Sequence, residues 1–330
     1  MLPLPALHAS HAGIWLAAPD GSTRQVDRGA AIAAAAATPH LLINAPLTGE
    51  RLGYGELSGL DLLELFAFVH PARFAVPTAS GLSATLGLAD PGEEAAIAAH
   101  LQQLASALLA SAAASDWPER DGAWHSAAAL SRQRWGWAPF LLDRLDTPGD
   151  KDRWLFSRLP EWQDAPPRPA AKAITPDPAD VAATLARFTG SAAEDRPSQR
   201  DYALTTAQIF APRVARGQPH LVIAEAGTGI GKTLGYLAPA ASWIAASSGG
   251  VYVSTFTKAL QRQLARETER LYPDRSQHRA KVVVRKGREN YLCLLNLEDA
   301  LQGGFSGRAA ILAQLVARWA AYSRGGDMVG

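Results

Sequence analysis

The stretch LVIAEAGTGIGKT, residues 221–233, determines the expected fold of the region around it. An apolar run leads into a glycine-rich turn, then into Lys232 and Thr233, and then into the apolar helical pattern of residues 234–246. This order of strand, loop and helix is the context that a phosphate-binding P-loop requires. A glycine-rich turn that binds nothing is the alternative, and the flanking patterns argue against it. The sequence therefore predicts a nucleotide site.

Each residue type in this loop has a physical role in binding phosphate. Glycines let successive N–H groups converge on phosphate oxygens, and the following helix directs its positive N-terminus at the same oxygens. Lys232 is expected to contact the β and γ phosphates of ATP, and the Thr233 hydroxyl to ligate Mg²⁺, so these two are the predicted catalytic residues. The predicted nucleotide-binding residues of the loop are Ala226, Gly227, Thr228, Gly229, Ile230, Gly231, Lys232 and Thr233.

Composition places the chain among ordinary globular proteins. Its 330 residues are 48% hydrophobic and 19% charged, with a net charge of +1, so any affinity for nucleic acid must come from a local patch. A single cysteine fits a reducing compartment. The first residues lack the pattern of a signal peptide, and the best apolar window, after Leu234, is broken by Pro239. We therefore expect a cytoplasmic protein with no membrane partner.

Residues 1–150 are expected to form a small α/β domain. Apolar runs bounded by turn residues predict strands, and alanine- and leucine-rich segments predict helices. The predicted strands are 13–17 and 40–44, and the predicted helices are 29–37 and 93–114. Trp135 and Trp137 are expected in its core rather than on a stacking surface, because aromatic side chains are usually buried.

A proline-rich linker is predicted over residues 151–192, with one short helix over 180–188. From 193 to 330 helices and strands alternate, which predicts a parallel sheet with helices on both faces. The predicted strands are 220–225, 250–255 and 281–284, and the predicted helices are 199–215, 232–246, 257–271 and 308–323.

Three segments in this order, residues 225–233, 253–264 and 285–293, resemble the first motifs of DinG/XPD-type superfamily 2 helicases, the iron–sulfur DNA helicases. The resemblance covers about residues 194–330. It implies an incomplete RecA-like P-loop domain, and ATP hydrolysis coupled to movement on single-stranded DNA and to unwinding of forked DNA in repair. A second motor domain in the same polypeptide is the implied partner.

The resemblance also implies roles for individual residues. Gln199, in the segment RPSQ of residues 196–199, corresponds to a glutamine that reads the adenine edge; a polar residue at a helix start explains it equally well. The loop after the second apolar run resembles one that contacts the single-strand backbone, and small hydroxyls suit that contact. The residues so implicated in DNA binding are Ser254, Thr255, Thr257, Lys258, Lys286, Arg288 and Tyr291.

Charge supports a nucleic-acid surface in the same region. Residues 254–290 contain ten lysines and arginines against four acidic residues, in a chain that is nearly neutral. A solvated helix face explains the cations of residues 262–270 about as well, because acids alternate with them. Lys286 and Arg288 beside Tyr291 are better candidates, because a cation next to an aromatic ring suits a single strand.

Some features of the family are missing from the chain. Cys293 corresponds to the first of four ligands of a [4Fe–4S] cluster, so the cluster is expected only in a full-length protein. No acidic Walker B motif occurs, and no second motor domain follows. We therefore expect the N-terminal part of a longer helicase, inactive by itself. Another P-loop NTPase or kinase, or a nucleotide-binding regulatory protein, is the alternative.

The N-terminal region carries a weaker resemblance. Asp61 to Leu65, followed by the segments around Gly81 and Gly87, resembles part of an exonuclease-like, RNase H-type domain. Its opening strand lacks the paired carboxylates that two-metal nucleases need. We therefore expect a degenerate, non-catalytic domain in which Asp61 and Glu64 are capping or surface groups rather than metal ligands.

Overall fold

The computed structural model describes residues 3–147, 170–190, 196–215, 217–323 and 325–328. Its contacts divide the chain into two units, one of Met1–Trp162 with Lys286–Gly330 and the other of Gln163–Arg285. The sequence instead predicts that residues 193–330 belong to one domain, and the predicted domain boundaries stay a prediction. Half of the predicted linker, residues 151–169 and 191–192, lies outside the described residues.

A five-stranded mixed sheet forms the centre of the first unit, with the strand order β3-β2-β1-β4-β5. The strands are β1 (Ala6–Ala9), β2 (Ile14–Ala17), β3 (Thr23–Gln25), β4 (Leu41–Leu42) and β5 (Leu60–Asp61). The pairs β1–β2 and β2–β3 are antiparallel, whereas β1–β4 and β4–β5 are parallel. The predicted α/β class is confirmed.

Within residues 3–147, seven helices of the first unit lie between or after these strands. They are α1 (Arg28–Ala37), α2 (Ala45–Leu52), α3 (Leu62–Val69), α4 (Ala79–Leu86), α5 (Glu94–Ala113), α6 (Ala123–Arg132) and α7 (Ala138–Leu142). The predictions for α1 and α5 are confirmed to within a residue at each end. Polar side chains mark the helix starts: Asp27 accepts from the Ala30 N–H at 2.8 Å and Thr78 from the Gly81 N–H at 3.0 Å.

Alternate residues of the strands reach two separate cores on opposite faces of the sheet. Ala6 and Leu41 belong to one core with α5, whereas Leu7 and Leu42 belong to the other with α1 and α2. Trp135 and Trp137 are buried in the first core, as predicted. Within the described residues, α5 is the one helix long and apolar enough to cross a membrane, and half of its apolar window is buried in the fold. The most apolar window considered from the sequence, after Leu234, had been rejected as a membrane span and lies in a different helix.

The last part of the chain belongs to the first unit. Helix α13 (Leu294–Asp299) and helix α14 (Gly307–Tyr322) lie there, and α14 packs against α3 and α6. Arg318 of α14 is 2% exposed, and its guanidinium lies 4.4 Å from the Phe68 ring centre and 5.1 Å from that of Trp117. Its Nε donates to the Phe68 carbonyl at 2.6 Å. This arginine therefore joins α14 to the N-terminal domain.

The second unit is built from helices over the described residues. They are α8 (Pro178–Thr189), α9 (Pro197–Ala207), α10 (Lys232–Ser247), α11 (Lys258–Leu271) and α12 (Arg275–Lys281). Helices α8, α9 and α10 pack around a small core that includes Val181, Leu185 and Ala238. The short helix predicted inside the linker is confirmed as α8, and α9 ends earlier than predicted.

The three strands predicted for this unit are wrong for this structure. Residues 220–225 and 250–255 belong to no strand, and Lys281 is the last residue of α12. Ile223 is 88% exposed and Tyr252 is 100% exposed. A strand exists only through hydrogen bonds to a neighbour, and parallel strands are stable when covered on both faces. Neither condition holds among the described residues here, so no RecA-like sheet is formed.

Candidate nucleotide-binding site

The glycine-rich turn before α10 has the backbone geometry that a phosphate cradle needs. Gly229 and Gly231 have φ values of 84° and 82°, in the left-handed region that favours glycine. No atom lies within 4 Å of the position that a Cβ would take on Gly227 or Gly229. Helix α10 begins at Lys232 without a side-chain cap, so its first N–H groups are open to an anion. The residues of the turn fit a phosphate group.

Lys232 lies across the turn. Its Nζ donates to the carbonyl oxygens of Ala226 and Gly227, each at 2.9 Å. An ammonium has three donors, so one stays available, and phosphate oxygens are stronger acceptors than these two carbonyls. Lys232 is therefore placed where it could exchange backbone contacts for phosphate contacts.

Gln199 lies behind the turn rather than in front of it. Its side chain is 3% exposed, and its Nε2 donates to the Gly231 carbonyl at 2.9 Å. Gly231 has a φ of 82°, which strains any other residue, and a Cβ there would lie 2.1 Å from this nitrogen, so the position favours glycine. The amide thus supports the loop; its predicted role in reading adenine stays a prediction.

A groove of about 550 Å³ runs between α9 and the turn. Its volume is within the range of about 300–1,000 Å³ that is common for small-molecule sites. Ser198, Asp201 and Tyr202 of α9 line one side, and residues 223–227 with Ile230 line the other. The groove therefore provides room for a base and ribose beside the phosphate cradle.

Thr233 is the predicted Mg²⁺ ligand, and the structure shows a partner for it that the sequence analysis missed. The side chain is 8% exposed, and its Oγ1 accepts a hydrogen bond from Gln263 Nε2 at 3.1 Å. Burial raises the pKa of Tyr236, and a hydrogen bond with Thr233 opposes this effect. Gln263 lies within the quoted motif 253–264, but nothing in the sequence pointed from it to Thr233.

The first group of predicted DNA-binding residues lies at the start of α11. Thr257 Oγ1 accepts from the Leu260 N–H at 3.2 Å and so caps the helix, and Lys258 is its first residue. Ser254 and Lys258 are exposed, and Thr255 is half-buried. Capping by Thr257 leaves its own backbone N–H open to a ligand, so both suggested roles of this residue are compatible with the geometry.

The second group, Lys286, Arg288 and Tyr291, belongs to the other unit. Lys286 Nζ forms an ion pair with Asp327, and the Lys286 backbone N–H donates to the Tyr291 hydroxyl at 2.9 Å. Tyr291 also pairs with Asp327 in an antiparallel bridge. Contacts within the protein thus engage Lys286 and Tyr291, whereas Arg288 is exposed. DNA contact by these residues stays a prediction.

Cys293 is exposed and immediately precedes α13. It is the only cysteine of the chain, and the described residues contain no group of three or more His, Cys, Asp and Glu side chains that could hold a metal ion. A [4Fe–4S] cluster needs about four thiolates. The residues present in this chain therefore do not fit the cluster by themselves.

The acidic pair of the N-terminal domain serves the fold. Asp61 caps α3 by accepting from the Leu63 N–H at 3.0 Å, and its other oxygen accepts from the Ala45 N–H at 2.7 Å. The capping role predicted for Asp61 is confirmed, although the side chain is buried rather than on the surface.

Glu64 is also engaged. It accepts from Trp135 Nε1 at 2.8 Å, and the Arg308 guanidinium lies 3.1 Å from its carboxylate. Burial raises the pKa of Glu64, whereas the Trp135 hydrogen bond and Arg308 act in the opposite direction. The Arg308 guanidinium also lies 3.5 Å from the Asp61 carboxylate, so it offsets part of the negative charge of these two residues.

Comparison with known proteins finds relatives that are named YoaA or DinG. The chain is 41% identical over 110 residues to the ATP-dependent DNA helicase YoaA of Escherichia coli, and 39% identical over 110 residues to the ATP-dependent helicase DinG of Mycobacterium tuberculosis. It is 34% identical over 137 residues to a Bacillus subtilis protein named 3'-5' exonuclease DinG. No family model matches the chain, and no solved structure matches it.

These matches cover limited parts of both partners. The matched residues amount to 33% of this chain and 16% of the Escherichia coli relative, and to 41% of this chain and 14% of the Bacillus subtilis relative. The chain therefore matches only about a sixth of the length of these relatives. The comparisons confirm the resemblance to DinG-type proteins and support a helicase-related role.

Proposed function

We propose that this chain carries the ATP-binding part of a DinG-type DNA helicase. The observation that carries the proposal is the turn of residues 226–231, with two left-handed glycines and an uncapped helix behind it. The names of two relatives support it, because one is named an ATP-dependent DNA helicase and the other an ATP-dependent helicase.

The chemistry of the site suits Mg²⁺ and ATP. The N–H groups of the turn and of α10 would hold the phosphates, Lys232 would neutralise their charge, and the Thr233 hydroxyl would contribute an oxygen to the cation. The bound nucleotide supplies a phosphoryl group for transfer to water. Because the sequence contains no acidic Walker B motif, we expect this chain to bind ATP weakly and not to hydrolyse it.

Single-stranded or forked DNA is the proposed partner. The exposed hydroxyls and N–H groups before α11, together with Lys258, are suited to phosphate oxygens. The remaining thiolates of an iron–sulfur cluster and a second motor domain belong to the proposed longer polypeptide, in the cytoplasm. The exposed apolar segments around Ile223 and Tyr252 are proposed to pair there with the missing strands of a RecA-like sheet.

Nucleotide binding by the purified chain tests this function. A fluorescent ATP analogue is titrated into the wild-type chain, Lys232→Ala and Lys258→Ala, and binding of a single-stranded oligonucleotide is followed at several salt concentrations. Lys232→Ala should lose nucleotide binding without unfolding, because the side chain is exposed and its Nζ contacts only exposed backbone carbonyls. Lys258→Ala should keep nucleotide binding and weaken DNA binding, with affinity falling as salt rises.

Several outcomes would contradict the proposal. Equal nucleotide binding by wild type and Lys232→Ala would show that the P-loop does not bind the nucleotide. Nucleotide binding without any DNA binding would favour another P-loop NTPase, a kinase or a regulatory protein. Single-turnover ATP hydrolysis by the chain would refute its predicted inactivity.

For the N-terminal domain we infer a degenerate exonuclease-like fold without nuclease activity. The inference is supported by Asp61, whose carboxylate is occupied by backbone N–H groups, and by Arg308, which neutralises Glu64. Digestion of single-stranded DNA by the purified chain in the presence of Mg²⁺, abolished by Glu64→Gln, would overturn it.

A further inference from the structure

The contact between Gln263 and Thr233 connects two elements with different proposed tasks. Thr233 lies on α10 directly after the phosphate turn, and Gln263 lies on α11. The two helices pack against each other within one unit. The 3.1 Å hydrogen bond from Gln263 Nε2 to Thr233 Oγ1 is a direct side-chain connection between them.

The hydrogen bond from Gln263 affects how the Thr233 hydroxyl can bind a cation. A threonine oxygen has two acceptor positions and one hydrogen. With Gln263 using one acceptor position, the other stays available to a cation, and rotation of the hydroxyl is restricted. Gln263 can therefore determine the direction of the remaining lone pair of Thr233 Oγ1, which is the one available to the metal.

The other end of this connection is the start of α11. Thr257 caps the helix and Lys258 is its first residue, and both belong to the segment proposed to contact DNA. A helix is stiff over this distance, so a shift of its first turn moves Gln263 relative to Thr233. A shift of the segment proposed to contact DNA can therefore alter the position of Thr233, the proposed cation ligand, through the hydrogen bond from Gln263.

We propose that Gln263 is a positioning residue that couples Mg²⁺–nucleotide binding at Thr233 to single-stranded DNA binding at the start of α11. This inference rests on the proposed ATP site and DNA segment. Gln263 touches neither ligand. It acts through the orientation of the Thr233 hydroxyl.

Coupling between the two ligands is the quantity to measure. The dissociation constant of a fluorescent ATP analogue is measured for the 330-residue chain with and without saturating single-stranded oligothymidylate, in Mg²⁺ and again in EDTA. The variants are Gln263→Met, which keeps length but has no donor, and Gln261→Met as the matched control. Residues two apart on a helix do not share a face, so the control leaves the contact intact.

In wild type, DNA should change the nucleotide affinity by about five-fold or more in Mg²⁺. Gln263→Met should reduce this ratio to about one and weaken Mg²⁺-dependent binding by about five-fold, as expected for loss of one hydrogen bond. Its affinity in EDTA should be unchanged, and circular dichroism should show the wild-type fold. Gln261→Met should behave as wild type.

The possible failures are distinguishable. If wild type binds neither ligand, the proposed function is refuted and this inference with it. If wild type binds both ligands with coupling and Gln263→Met keeps that coupling, only the role of Gln263 is refuted. The same conclusion follows if wild type binds both ligands without any coupling between them. An equal loss of coupling in Gln261→Met would also overturn the proposal, because the effect would then not depend on the contact with Thr233.

Discussion

The N-terminal sheet and the P-loop segment present the same kind of apolar sequence with opposite results. Leu41 and Leu42 of β4 are completely buried, one on each face of a sheet covered by helices on both sides. Leu221 and Ile223, before the phosphate turn, are 79% and 88% exposed and pair with no strand. Both segments would be predicted as strands from their side chains alone.

The difference lies in what surrounds each segment. Strand β4 has β1 on one side and β5 on the other, and α5 and α2 supply the apolar surface that covers it. The described residues around 221–223 include helices and turns but no neighbouring strand. Apolar runs indicate a tendency to be buried, and only a hydrogen-bonded neighbour turns that tendency into a sheet.

The largest expected effect is on a core residue of the first unit. Trp137 is fully buried and its Nε1 donates to the Asp61 carbonyl at 2.8 Å. Trp137→Ala should lower the free energy of unfolding by about 3–5 kcal/mol, because a large cavity and an unpaired carbonyl remain. Urea denaturation followed by far-ultraviolet circular dichroism measures it.

The matched change in the second unit is Tyr252→Ala. Tyr252 is 100% exposed, so we expect a change within about 0.5 kcal/mol. A cost above about 1 kcal/mol for Tyr252→Ala would mean that this segment is buried in solution, and the contrast between the two units would fail.

A smaller effect is expected at Arg318. Its guanidinium donates to the Phe68 carbonyl at 2.6 Å and to the Asp121 carbonyl at 3.4 Å, between aromatic rings. Arg318→Leu should cost about 2–3 kcal/mol of unfolding free energy, because buried carbonyls lose their donor.

The exposed Arg262 of α11 provides the comparison, and Arg262→Leu should change stability by less than about 0.5 kcal/mol. Equal effects of the two substitutions in thermal and urea denaturation would show that α14 is not anchored on the N-terminal domain through Arg318.

A loss of stability smaller than those of Trp137→Ala and Arg318→Leu is expected when the pH falls. Burial, with the nearby Arg73, lowers the pKa of His70 from 6.5 to about 4. The unfolded chain binds a proton near pH 6.5, whereas the folded chain does so only near pH 4, so stability is lost as pH falls through this window. Allowing for solvent screening of a partly exposed ring, we expect a loss of about 1 kcal/mol.

His70→Leu removes the titrating ring while keeping an apolar side chain against Phe66. The free energy of unfolding is obtained from urea denaturation between pH 7 and pH 4. Over this range it should fall by about 1 kcal/mol less in His70→Leu than in wild type. The same pH slope in both proteins would assign the acid sensitivity to other groups.

Local sequence signals predicted much of the fold where local interactions decide it. Helix α5 follows from its alanine and leucine content, and α8, α10, α11 and α14 were placed within a few residues. The glycine-rich turn and the start of α10 at Lys232 were located because they are contiguous in sequence, and phosphate binding by them stays a prediction. Helix α12 was missed, since a valine-rich run after it suggested a strand that begins at its last residue, Lys281.

Contacts between distant residues could not be predicted from the sequence. Gln199 supports Gly231, Gln263 reaches Thr233, and Asp327 pairs with Lys286. Each pair joins residues far apart in the chain, and none has a periodic or compositional signal. The sequence suggested an open single-strand contact for Lys286, whereas folding gave that side chain a carboxylate partner.

The sequence by itself determined the phosphate turn, the helix that follows it, the capping residues and the resemblance to DinG-type helicases, because these depend on neighbouring residues and fixed spacing. Tertiary structure alone decided which apolar runs became strands and which lie exposed. It also decided that the predicted capping residue Asp61 is buried and that Arg308 lies beside both Asp61 and Glu64. The physical reason is that pairing, burial and charge compensation depend on what the folded chain brings next to each residue.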